Sequence, residues 1–324
     1  MTGYRPSSIE IPLLLLGILA ATIALGLLLT RRRRTWGPET AWLLAAAALG
    51  AAERVTAREP GGFRMLALCA ALFLGLKAIV GMSDLARGAA PLSSARWLAF
   101  TVGWPGMWPQ TFARKSGAAR AGGGRLLTDG LLRLAAGAAL VGAARLVWIR
   151  SGSRYGATAL LLPGLSFMLH FGLFTIAAGL WRWAGFPCKP LFRTPLSSTS
   201  LSEFWGKRWN IAFTEMIQLS VYRPLAARVG TATAAFAGFL FSGLLHEVAI
   251  TLPARGGYGR PLLYFALQGG LVLLERAQSR SGHPIDRRPG IGRIWTLAAL
   301  ALPLPILLVP EFLQAAIWPI IGMD

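Results

Sequence analysis

Two polar clusters interrupt an otherwise oily sequence, and they hold the residues that could do chemistry. The first reads Ser200-Leu201-Ser202-Glu203-Phe204-Trp205-Gly206-Lys207-Arg208-Trp209-Asn210. The second, Ser242-Gly243-Leu244-Leu245-His246-Glu247, sits near the end of a long apolar run. A histidine in lipid-facing sequence is costly unless it lines a cavity or finds a partner, which makes His246 a functional candidate. The Asn210 amide, 36 residues upstream, can donate or accept a hydrogen bond. Glu247 either orients His246 or points into a polar channel. It does not open a zinc site, because Ile250 stands where HExxH needs its second histidine. No serine occupies a GxSxG setting either. Neither a metal nor a bound cofactor is expected.

These clusters need a scaffold, and composition says what kind. The chain has 324 residues, 54% hydrophobic and 14% charged, with 12 Trp. That is too apolar for a soluble domain of this size and predicts an all-α polytopic membrane protein, one domain over 1–324. The apolar runs predict about eight transmembrane helices plus interfacial or re-entrant pieces. The spans fall at 9–29, 41–52, 63–82, 126–149, 157–181, 230–252, 262–274 and 294–309. The first is followed, not preceded, by basic residues 31–34, so it reads as a retained anchor with its N-terminus outside. In the third, Lys77 is expected to snorkel to the interface. The stretch 98–108 is too short to span and is broken by Gly103-Trp104-Pro105-Gly106, which predicts an interfacial or re-entrant segment. Asp129 and Arg133 have the i, i+4 spacing of a helix-face ion pair. His170 reads as a packing residue ahead of a catalytic one. Trp318-Pro319 is placed at an interface. Cys69 and Cys188 form no metal spacing and no disulfide framework.

The net charge of +20 could point to nucleic acid, but its distribution excludes that reading. With the first helix running inward, the cytoplasmic segments 30–40, 83–125, 182–228 and 276–293 carry 22 Lys and Arg against 8 in the outer ones. This is the positive-inside pattern of a membrane protein with both termini outside the cytoplasm. The preponderance of Arg and Ala points to a bacterial inner membrane.

The first cluster therefore lies on the cytoplasmic side. Ser200 followed by Glu203 is a capping box that starts a helix. Leu201, Phe204, Trp205, Trp209, Ala212, Phe213 and Met216 then recur at helical spacing as one apolar face. The expectation is a helix lying in the interface, its Trp rings at headgroup level.

The order "PLFRTPLSSTSLSEFWGKRWN" from Pro190 to Asn210, "SGLLHE" from Ser242 to Glu247 and "YFALQG" from Tyr264 to Gly269 resembles the wax synthase branch of the membrane-bound O-acyltransferase family. The resemblance covers roughly 186–275. It implies that His246 is the catalytic histidine and Asn210 the second signature residue. It further implies transfer of an acyl group from acyl-CoA, as co-substrate, to the hydroxyl of a lipophilic alcohol, within membrane lipids. Family members also acylate other lipids and small natural products, so the acceptor stays open.

The residues suit that chemistry. A thioester is already activated, and what it lacks is a stronger nucleophile than a neutral alcohol. A neutral histidine can take the hydroxyl proton as the oxygen attacks, a step worth about 10²–10⁴-fold. Asn210 donates to the developing oxyanion or holds the histidine. Lys207 and Arg208 bind either the phosphates of CoA or anionic headgroups, with Trp205, Trp209 and Glu247 completing the substrate-binding candidates. A different class, a transporter or flippase using His246 in a proton relay, would often show paired halves with matching broken helices. No such symmetry is evident.

Overall fold

The computed structural model describes residues 2–32, 35–282 and 287–323. Arg33 and Arg34 of the basic cluster therefore lie outside the described residues. Among those described no strand forms, and the elements are helices.

Helices α1 (Glu10–Arg31), α2 (Pro38–Thr56) and α3 (Gly61–Ala86) pack together first. A short α4 (Ser94–Gly103) follows, then the long α5 (Gly123–Ser151) and α6 (Arg154–Trp183). Further on come a short α7 (201–208), α8 (211–229), α9 (Thr231–Ala254) and α10 (Arg260–Arg280). The chain closes with α11 (Pro289–Leu307) and short helical turns over 310–321. By length and composition, six of these are able to cross a membrane: α1, α3, α6, α9, α11 and a stretch containing α5. The sequence predicts about eight. The other two expected spans, α2 and α10, do form helices of 19 and 21 residues but carry more polar side chains. In α10 that polarity is turned inward, since Gln268 and Glu275 are both buried.

Several sequence expectations change once the helices are packed. Lys77 does not snorkel. It is fully buried, and its ammonium donates to the carbonyls of Phe100 (2.9 Å), Trp104 (2.7 Å) and Gly106 (2.6 Å). The ring of Phe100 lies 3.7 Å away on a further side. All three ammonium protons thus find carbonyls that α4 and the broken turn after it leave unpaired, and these hold the side chain inward instead of toward the interface. The 98–108 stretch is accordingly a short helix and a return, with Trp97, Phe100 and Trp104 buried against α3. Glu215 of α8 grips the same turn by accepting from the Met107 N–H at 2.9 Å. Burial raises the Glu215 carboxyl above the ordinary carboxylate range, while the Met107 hydrogen bond and the Lys77 charge oppose the rise.

Asp129 pairs with Arg125, one turn back, at 3.9 Å rather than with Arg133. Trp318 donates to the Thr158 hydroxyl of α6 at 2.9 Å and is half-buried against the protein.

The largest correction concerns the helix expected from Ser200 onward. Ser200 does cap it, accepting from the Glu203 N–H at 3.1 Å, while Glu203 reaches back to Thr199 N at 2.9 Å. The helix then stops after Arg208. Trp209 is extended and Asn210 is left-handed (φ 45°, ψ 62°) before α8 begins. Its apolar face does not lie in an interface: Leu201, Phe204, Ala212 and Met216 are buried in the protein. A pattern of apolar spacing records which side is buried, not whether lipid or protein buries it.

Candidate active site

The left-handed turn at Asn210 is built from its surroundings. A non-glycine residue in this conformation is uncommon, and asparagine is among the least penalised. The strand-like segment 191–194 runs beside it: Arg193 N donates to Arg208 O at 2.8 Å, and Ile211 N donates to Leu191 O at 2.9 Å. Arg208 clamps the same segment. Its guanidinium pairs with Glu203 at 2.7 Å and donates to the Thr194 hydroxyl at 2.8 Å. Burial pushes the Glu203 carboxyl up, but the Thr199 hydrogen bonds and Arg208 more than offset it, leaving it below the ordinary range. Arg208 is therefore occupied in holding the turn. Lys207 is exposed and does not line the cavity described below.

Within Asn210 the side-chain oxygen accepts from Phe213 N at 3.3 Å, capping α8. With the oxygen so used, the amide NH₂ is the group left to act on something else. This orientation follows from the donor, since a backbone N–H can bond only the oxygen end.

His246 lies on α9 in the last helical turn before a π-helical stretch, Glu247–Thr251. Such local widening is frequent at functional positions. Gly243 allows α10 to come close below it, as a Cβ there would stand 2.8 Å from Leu262 Cα. The imidazole rests on Phe265 of α10, with ring centroids 4.3 Å apart. Its Nδ1 is 2.8 Å from the Ser242 carbonyl. A carbonyl only accepts, so Nδ1 carries the hydrogen and Nε2 of the neutral ring keeps its lone pair. That is the tautomer a general base requires.

Glu247 neither touches the imidazole nor lines the cavity. Its carboxylate accepts from Leu262 N at 3.1 Å and from the Thr251 hydroxyl. It ties the π-helical stretch to the first turn of α10, whose free N–H groups attract a carboxylate.

Asn210 and His246 line one cavity of about 210 Å³ between α7, α8, α9 and α10. Trp205 and Trp209 form part of the wall, with Phe239 and Phe265 facing Trp205. The Trp205 indole donates to Gln268 at 3.2 Å, and Gln268 donates onward to Ala299 O at 2.8 Å. A buried Glu275 seats the start of α7 by accepting from Leu201 N (2.7 Å), Ser202 N (3.0 Å) and the Trp295 indole (2.8 Å). Sequence reasoning did not single out Phe265, Gln268 or Glu275 as site-supporting residues, although the signal existed. All three lie on α10, where a glutamine and a glutamate inside an apolar helix mark a face turned toward protein.

His170 stands behind this wall. It stacks on Phe192 at 4.7 Å, meets Trp209 edge-on at 5.7 Å and is hydrogen-bonded to Ser166 at 3.0 Å. It is not on the cavity. Among the described residues no cluster of His, Cys, Asp and Glu could hold a metal ion.

A family match to known proteins falls on the same segment. Residues 188–267 match the Membrane bound O-acyl transferase family. The chain is 29% identical over 155 residues to "Acyl-CoA--sterol O-acyltransferase 1" of Arabidopsis thaliana, covering 45% of each chain. It is 30% identical over 143 residues to "Probable long-chain-alcohol O-fatty-acyltransferase 7" of the same plant, covering 40% of this chain and 42% of that one. It is 36% identical over 72 residues to the "Long-chain-alcohol O-fatty-acyltransferase" of Simmondsia chinensis, 20% of each. The matches thus span less than half the length of these relatives. The region that contains Asn210 and His246 is thus similar to the Membrane bound O-acyl transferase family.

Proposed function

We propose that this protein is a membrane-embedded O-acyltransferase that moves an acyl group from acyl-CoA to the hydroxyl of a lipophilic alcohol. The observation that carries the reading is the shared cavity, with a base-competent Nε2 on one wall and the Asn210 amide on another.

In this reading His246 Nε2 takes the proton of the alcohol as its oxygen attacks the thioester carbonyl. The carbonyl oxygen becomes an oxyanion, and Asn210 NH₂ donates to it. The tetrahedral centre collapses with cleavage of the carbon–sulfur bond. The imidazolium then returns the proton to the departing thiolate, leaving ester and free thiol. Positioned donors at a developing oxyanion are worth about 10²–10³-fold each. Phe239 and Phe265 keep the reacting atoms dry, which strengthens both interactions.

Purified protein in detergent, given radiolabelled acyl-CoA and a panel of alcohols, tests this directly. Thioester consumption should depend on alcohol and should yield labelled ester. Acyl-CoA left intact with every alcohol, or hydrolysed equally without one, would remove the reading.

The orientation follows from the 22-to-8 basic asymmetry. We place α7 and α8 on the cytoplasmic side of a bacterial inner membrane, with both termini outside. Alkaline phosphatase fused after Asp324 should be active there. A fluorescent, phosphatase-inactive pair of fusions would mean an odd number of crossings, with α2 the first helix to re-examine.

A further inference from the structure

Among the described residues, Arg276 is the charged side chain on the cavity wall. Its neighbour Glu275 is spent on the start of α7. His246 and Arg276 mark the two ends of the cavity. Along α9 the lining residues run from Ala235 to His246; along α10 they run from Phe265, beneath the imidazole, to the exposed Arg276. Each interval is eleven residues of helix, a length of about 16 Å. The two antiparallel walls thus measure the same distance from base to cation.

That spacing selects among acyl donors. We propose that Arg276 binds the phosphate of a phosphopantetheine arm, with the thioester at the other end of the cavity beside His246. The inference rests on the acyl-transfer reading and adds the residue and the ruler. From phosphorus to sulfur the arm has as many bonds as a little over four residues of peptide backbone, about 15 Å when extended. It matches the cavity. An acyl phospholipid, whose ester and phosphate lie only a few bonds apart, cannot reach both ends. A guanidinium is also suited to phosphate, since its fork offers two parallel N–H donors. Coenzyme A and an acyl carrier protein share this arm.

The full-length protein would be assayed with one alcohol and three donors of one chain length: acyl-CoA, the acyl carrier protein thioester, and acyl-pantetheine, which lacks the phosphate. The readout is kcat/KM for each phosphorylated donor divided by that for acyl-pantetheine. Arg276→Ala should lower this ratio about tenfold, with much of the ratio kept in Arg276→Lys and the drop shrinking in high salt. The phosphorylated donor with the larger wild-type ratio identifies the carrier. An unchanged ratio in Arg276→Ala, or an equal loss with all three donors, overturns the role of Arg276 while leaving acyl transfer intact. A wild-type protein that turns over none of the three would overturn the transfer reading itself.

Discussion

His246→Gln should lower kcat for acyl transfer by about 10²–10⁴-fold, the range expected for loss of a positioned general base. KM for the donor should move little, because the base acts on the transition state far more than on ground-state binding. Glutamine keeps similar reach and a hydrogen-bonding group, but its amide cannot accept a proton at neutral pH. A merely packed histidine would therefore survive this change. The same assay separates two roles for Asn210. Asn210→Asp keeps an oxygen to cap α8 at Phe213 N but loses the NH₂ donor; Asn210→Gly keeps the left-handed backbone and loses both. If the amide serves the oxyanion, both variants fall by about 10²–10³-fold. If it only caps the helix, the aspartate variant stays active. His170→Gln is the control, since that ring stacks on Phe192 away from the cavity. A dead His170→Gln beside a near-normal His246→Gln would show that the base has been misassigned.

Lys77→Met should be the most destabilising single change outside the cavity. Methionine fills most of the volume but leaves the carbonyls of Phe100, Trp104 and Gly106 without their donor in a fully buried place. Each unsatisfied buried acceptor costs about 1–3 kcal/mol, so the total should exceed about 3 kcal/mol. It should also leave Glu215 with less opposing charge near the turn at Met107. The measurement is the melting temperature of the purified protein in detergent, followed by size exclusion. A Lys77→Met protein that melts with the wild type would mean that the ammonium is not what holds the broken segment. Glu215 accepts from Met107 N on the same α8 that carries Asn210 at its cap. A loosened turn should therefore lower activity before it lowers yield.

The candidate pair is marked by local information. Asn210 follows a Trp-rich, capped stretch, and His246 ends an apolar run, so each is conspicuous against its own neighbours. The membrane class, most of the spans and the capping by Ser200 were readable for the same reason: they depend on composition and on residues three or four apart. What the sequence alone left undetermined depends on partners far along the chain. Lys77 looked like a residue bound for the interface because the carbonyls that receive it, 23 to 29 residues away, are set free only by the break at Trp104. Arg208 looked free until segment 193–194 came alongside it, and Glu247 looked like a partner for its neighbour until the first turn of α10 offered Leu262 N. The helix through Trp209 looked continuous because apolar spacing persists across a turn that only the 191–194 pairing holds left-handed. A charged or amide side chain goes to whichever unsatisfied group the packed backbone brings within reach. Its type and its neighbours state what it can bond, and only the tertiary structure decides what it does bond.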